Sequence, residues 1–114
     1  MINDIETFTA LIYVGLKPGY DGEALESSIA ENIIQEYCDT NGLCVTIEPL
    51  KFIYTNGREP GLRIGLINYP RFPKTKSYIK DEALKLAALL KEKYKQERVS
   101  VVCKDRTYTI GELN

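Results

Sequence analysis

Between Glu6 and Leu16 the run ETFTALIYVGL alternates, with Phe8, Ala10, Ile12 and Val14 on one side and Leu11 and Tyr13 on the other. A period of two in Thr, Ile, Val and aromatic residues predicts a strand, here apolar on both faces. Pro18, Gly19 and Gly22 then predict a turn, with Asp21 placed to cap a following helix. From Glu23 to Thr40 the period changes to that of a helix: Leu25, Ile29, Ile33 and Tyr37 recur every four residues, Ile34 and Cys38 widen the stripe, and Gly42 supplies the stop.

Alternation returns in LCVTIEPLKFIY, residues 43–54, where Pro49 predicts an edge strand or a shift of phase. TNGREPG reads as a loop that places Arg58 and Glu59 at the tip of a hairpin, and Leu62, Ile64 and Leu66 form one face of the next strand. After NYPRFPKTK, whose two aromatic-proline bonds make it the expected place for a cis peptide, Ser77 to Lys95 carries Ile79, Ala83, Leu86, Leu90 and Tyr94 at helical spacing. RVSVVC is a strand, and RTYTI is a short extra one. The order strand, helix, strand, strand, helix, strand predicts one α+β domain over residues 1–114. Its fold class is the ferredoxin-like βαββαβ sandwich, an antiparallel sheet with two helices on one face and an added C-terminal strand.

That architecture leaves the second sheet face without a helical cover. Leu11, Tyr13 and Ile67 fall on it, and an apolar face of this kind predicts a partner, most simply a second copy of the chain in a homodimer. Arg58 and Glu59 at the hairpin tip are added to the expected partner surface.

Charge changes this picture. The net charge is -1, yet residues 1–67 carry four basic against ten acidic side chains, and residues 68–114 carry eleven against six. The two halves are expected to attract each other within the fold or between subunits. The chain has no histidine, which removes the commonest acid, base and metal ligand near neutral pH. Three cysteines do not make a disulfide framework and read as small buried thiols. No signal-peptide pattern or membrane-length apolar run is present, so a cytoplasmic address without membrane attachment is expected.

The candidate ligand site lies in NYPRFPKTKSYIK, where Arg71, Lys74 and Lys76 interleave with Tyr69, Phe72 and Tyr78 ahead of a helix. Cations beside aromatic plates suit a nucleotide-like or phosphorylated ligand. The strand IYVGL is also of the kind that opens RNA-recognition domains, but residues 62–69 place aliphatics where that family stacks bases on aromatics, so nucleic acid is not the expected partner. The glycines lack the Lys-Ser/Thr ending of a phosphate loop. No spacing fixes a pair of carboxylates for acid-base work, so no catalytic residue, metal or cofactor is assigned.

The phrases FTALIYVGLKPGYDG, GLCVT, FIYTNGREPG and GLINYPRFP together resemble short, largely uncharacterised proteins encoded by phages and prophages of Gram-positive bacteria. The resemblance implies a setting in which small accessory proteins act by binding. The expectation is a non-enzymatic counter-defence protein that blocks a host protein or sequesters a nucleotide-like signal. The alternative is a small enzyme using carboxylates and lysines, with an RNA-binding domain ranked below it.

Overall fold

The computed structural model describes residues 1–19 and 22–113. Strand β1 (Thr9–Gly15) is followed by helix α1 (Ser27–Asn41), the hairpin β2 (Val45–Tyr54) and β3 (Gly57–Ile67), helix α2 (Lys76–Lys93), β4 (Arg98–Cys103) and β5 (Thr107–Gly111). The sheet order is β2-β3-β1-β4-β5 with every neighbouring pair antiparallel. This is the ferredoxin-like arrangement, with β5 added at the β4 edge. The expected cap Asp21 lies outside the described residues.

Alternation decides which face the helices cover. Ala10, Ile12 and Val14 of β1, Leu62, Ile64 and Leu66 of β3, and Val99 and Val101 of β4 are buried. They pack against Ile79, Ala83, Leu86, Ala87 and Leu90 of α2 and against Ala30 and Ile34 of α1. A row of β-branched and leucine side chains meeting an alanine-lined helix brings sheet and helix into close contact.

Helix α1 begins at Ser27 rather than Glu23, because Leu25 N–H donates to the Leu16 carbonyl (2.8 Å) and holds the chain extended along the end of β1. Its N-cap position, Glu26, makes no side-chain cap bond. The cap is supplied from 68 residues away: the wholly buried Tyr94 hydroxyl donates to the Glu26 carbonyl (2.7 Å) and accepts from Ala30 N–H (2.9 Å). It thus stands inside the first turn, in place of the bond that Ala30 would make to residue 26. This also explains why Ala30 and Ile34, rather than the predicted four-residue row, are the deepest positions of α1. Gly42 ends the helix in the left-handed conformation (φ 63°), its N–H bonded to the Cys38 carbonyl.

Three further expectations are corrected. TNGREPG is not a loop: Thr55 and Asn56 alone form the turn, Asn56 taking φ 62°, and pairing resumes at Tyr54 with Gly57. Arg58 and Glu59 therefore lie on β3, on opposite faces. Pro49 sits opposite Leu62 in an unbroken register on the edge strand, so the phase does not shift. No cis peptide occurs among the described residues. Pairing of β1 with β3 ends at Gly15 and Gly61, whereas β2 and β3 pair on to the tip, so the hairpin projects beyond the sheet and the molecule is 51 Å long against 29 and 23 Å. None of the described helices is long and apolar enough to cross a membrane.

Tyr94→Phe leaves the buried Ala30 N–H without its partner and takes the donor from the part-buried Glu26 carbonyl, so it is expected to lower stability by about 1–3 kcal/mol. Urea unfolding with an unchanged slope and a lower midpoint is the expected result.

Candidate active site

The sheet face away from the helices is built from rows that the strand registers align. Gly15 lies beside Gly61 and Leu50, Tyr13 beside Arg63, Glu48 and Ser100, and Leu11 beside Gly65, Thr46 and Val102. Two of these positions, Gly15 and Gly61, pair directly and present bare backbone where side chains would otherwise stand. A Cβ at Gly61 would lie 2.3 Å from the Phe52 ring, and one at Gly15 would lie 2.8 Å from Gln96 Oε1 and 3.0 Å from Glu59 Oε1. An aromatic ring, a carboxyl and a carboxamide thus rest on glycine backbone at one place.

Each group is held there by its own element. Glu59 and Phe52 are paired on the projecting hairpin, and the strand pleat points both at this face. Gln96, in the turn between α2 and β4, is clamped by donating Nε2 to the Lys17 (2.8 Å) and Tyr94 (3.2 Å) carbonyls, which leaves Oε1 over Gly15. Burial pushes the Glu59 carboxyl above its ordinary value of 4.5, and nearby Lys17 opposes that shift. One row away, Arg63 Nη2 donates to Glu48 Oε2 (2.9 Å).

The residues expected to form a ligand site divide between neighbouring places. Tyr69 and Phe72 bridge each other in a small turn, and with Lys74 they line a cavity of about 300 Å³ beside Cys44 and Ile67. Arg71 stacks on the Phe72 ring (5.3 Å) and Lys74 on the Tyr78 ring (5.0 Å). Lys76 turns away to pair with Asp105 (3.5 Å) beside a separate, smaller concavity. Of the expected partner surface, Leu11, Tyr13 and Ile67 lie on the uncovered face with Glu59, and Arg58 lies on the reverse of the hairpin.

A concavity of about 740 Å³ runs between the C-terminal halves of α1 and α2 and is lined by Ile33, Tyr37 and Leu89 among others. Tyr37 meets the buried Glu82 of α2, which is engaged on both oxygens, by the Tyr37 hydroxyl and by Lys85 at 3.8 Å. Burial and the Glu82 carboxylate together hold the Tyr37 hydroxyl far above the usual phenol range. With both partners committed, this pair stitches the helices and presents no free base. The uncovered face differs: the Glu59 carboxyl rests over the Gly15 backbone beside Gln96 and has no ion-pair partner within 4 Å among the described residues.

No known family profile and no curated sequence matches the chain. Two solved structures do match its fold: a phage SAM lyase in complex with S-methyl-5'-thioadenosine, and a phage SAM lyase in the apo state. Each has a TM-score of 0.78 and 20% identity, over 98% of this chain and 96% of the other. The expectation of a non-enzymatic binding protein is corrected by this likeness. A chain of nearly equal length and the same fold is a lyase, and the enzyme alternative fits that finding better.

Sequence reading had placed Glu59 at a hairpin tip and passed over Gly15, Gly61, Phe52, Arg63 and Gln96. The usable signal was glycine inside two strand patterns, which marks close approach of another group to the backbone.

The raised Glu59 value gives a test of its burial. Its charged form is disfavoured in the fold, so this group costs nothing below its unfolded value near 4.5, and the destabilisation builds as pH rises from there towards its folded value and is complete above it. Glu59→Gln is expected to melt a few degrees higher than the parent at pH 7 and to lose that advantage near pH 4.

Proposed function

We propose that this chain is an enzyme of small-molecule metabolism that cleaves a sulfonium nucleoside of the S-adenosylmethionine type, releasing S-methyl-5'-thioadenosine. The single observation that carries this reading is the likeness over almost the whole chain to a lyase held with that thioether. The uncovered sheet face is the site to which the reading assigns the reaction.

The chemistry suits what that face offers. A sulfonium is a cation with a built-in leaving group: when its bond to the amino-acid chain breaks, the electron pair stays on sulfur and the positive charge disappears, while the carbon left behind is taken by the chain's own carboxylate oxygen, closing a lactone, so no co-reactant is consumed. The protein need not supply redox chemistry for that step. Its tasks are to attract a cation, to hold a flat nucleoside against a surface, and to keep bulk water from the reacting bond. Glu59 is the carboxylate that attracts it, in a partly desolvated position where charge counts for more than in water. The Phe52 ring is the flat surface, and Gly61 and Gly15 let that ring and the Glu59 carboxyl settle low on the sheet, side by side.

A phage setting agrees with this reading, since the matched lyase is a phage protein and the sequence resembles phage-encoded proteins.

The test is incubation of the purified protein with S-adenosylmethionine and chromatography for S-methyl-5'-thioadenosine. Release above the uncatalysed rate is expected, together with a drop of about 100-fold or more in Glu59→Gln. Absence of release at any pH from 6 to 9 would overturn the proposal. Activity should also fall on acidification towards the raised Glu59 value, because the protonated carboxyl no longer attracts a cation.

Gly15→Ala checks the geometry. Its methyl group meets the ends of two flexible side chains rather than backbone, so the variant is expected to fold normally and displace Glu59 and Gln96. A loss of about tenfold or more in kcat/KM with little change in Tm is the expected outcome.

A further inference from the structure

We infer that Arg63 is the specificity-determining residue that holds the carboxylate of the substrate's amino-acid chain, an inference that rests on the reading proposed above. Arg63 Nε is buried and has no hydrogen-bond partner, the one such side-chain atom among the described residues. A guanidinium carries five donors in a planar fork that matches a carboxylate. Here Nη2 is engaged by a single Glu48 oxygen at 2.9 Å, and the Tyr13 hydroxyl is a second partner of the guanidinium. The Tyr13 hydroxyl lies beside the guanidinium and adds to holding it charged, without satisfying Nε. A buried donor left unpaired is unfavourable, and the side chain is 37% exposed, so a carboxylate arriving from solution meets the open part of the fork and can draw Nε into a two-point contact by a small turn of the guanidinium.

Position makes the ligand's carboxylate the fitting acceptor. Glu59, Gly61 and Arg63 follow one another on the same face of β3, so the anion and the cation flank the glycine on which the Phe52 ring rests. Four residues of strand span about 13 Å between Cα atoms; Glu59 leans over the Gly15 row, while Arg63 stays in its own row with Glu48 and Tyr13, which keeps the two charges apart. A sulfonium nucleoside with an amino-acid chain carries its cation and its carboxylate at separate points along one extended molecule. The face offers the opposite charges in the same linear order, a carboxylate for the sulfonium and a guanidinium for the chain end. Glu48 keeps Arg63 oriented from the edge strand in the absence of substrate, and its own side chain is 55% exposed, so it can turn to solvent when a second carboxylate arrives.

The experiment compares two non-reacting probes by calorimetry. S-adenosylhomocysteine carries the amino-acid chain, and S-methyl-5'-thioadenosine lacks it. In Arg63→Gln the affinity for the first is expected to fall about 10- to 100-fold, with less than a twofold change for the second. Arg63→Lys should recover part of the loss, as it keeps the charge and gives up the fork. Retained affinity for both probes in Arg63→Gln would overturn the inference. An equal fall for both would also overturn it, because Arg63 would then be shaping the face as a whole. If the parent protein bound neither probe, the proposed function itself would fall, an outcome distinct from the other two.

Discussion

A tyrosine hydroxyl inserted into the first turn of α1 joins the two helices to each other and to the end of the sheet. Tyr94 reaches that point because α2 ends there and Ala30 is small enough to admit the ring. Its two hydrogen bonds do the work that a Ser or Asp cap does elsewhere, and they do it from inside the core, where losing either partner is costly. Since α1 has no side-chain cap of its own, the position of its start depends on this contact. The same segment then supplies Gln96, whose carboxamide is anchored to the Tyr94 and Lys17 carbonyls. The core tyrosine and the face that carries the candidate site are therefore mechanically continuous.

Both helices fall on one side of the sheet, and that fixes what the other side can be. A five-stranded sheet covered once has a face that must either take polar residues or meet a partner. Here it does something between the two. Tyr13 and Leu11 are half-buried by neighbours, Arg63 and Glu48 pair across strands, and the row at Gly15 and Gly61 is stripped to backbone. Removing side chains at two paired positions lowers local sheet stability, and the gain is space in which Phe52, Glu59 and Gln96 gather. The disfavoured charge on Glu59 adds to that local cost. Strain of both kinds concentrated at one spot is the pattern expected of a site kept for chemistry.

The sequence carried the fold more fully than the site, for physical reasons. Strand and helix periods are local, so β1, β4, β5 and α2 lie where alternation and four-residue spacing place them. The start of α1 was misplaced because Leu25 is held by a backbone bond to Leu16, which no periodicity records. Glycine and proline in NGREPG read as a loop, yet the turn needs two residues only, since Asn56 accepts a left-handed conformation. That one misreading moved Glu59 from the floor of the sheet to a hairpin tip. The basic aromatic segment was legible as composition, but its side chains split between a cavity, two ring stacks and an ion pair. Convergence of that kind depends on a turn that sequence spacing does not specify.

Charge supplies the last step. The acidic first half and basic second half were expected to meet, but each ion pair among the described residues joins partners within one half: Glu48 with Arg63 in the first, and Lys76 with Asp105, Lys80 with Asp81, Lys85 with Glu82 and Arg98 with Glu97 in the second. The asymmetry is therefore not consumed by direct pairing, and it persists as a field across the molecule. The projecting hairpin and β1, with Glu48 and Glu59, belong to the acidic half. Five of the ten carboxylates of that half, Glu23, Glu26, Glu31, Glu36 and Asp39, lie on α1 or just ahead of it, whereas the hairpin carries Lys51, Arg58 and Arg63 against Glu48 and Glu59. What a charged ligand meets at the uncovered face is therefore set by the local placement of Glu59, Arg63 and Glu48 rather than by the field of the whole half, because charges in contact outweigh those screened across the fold.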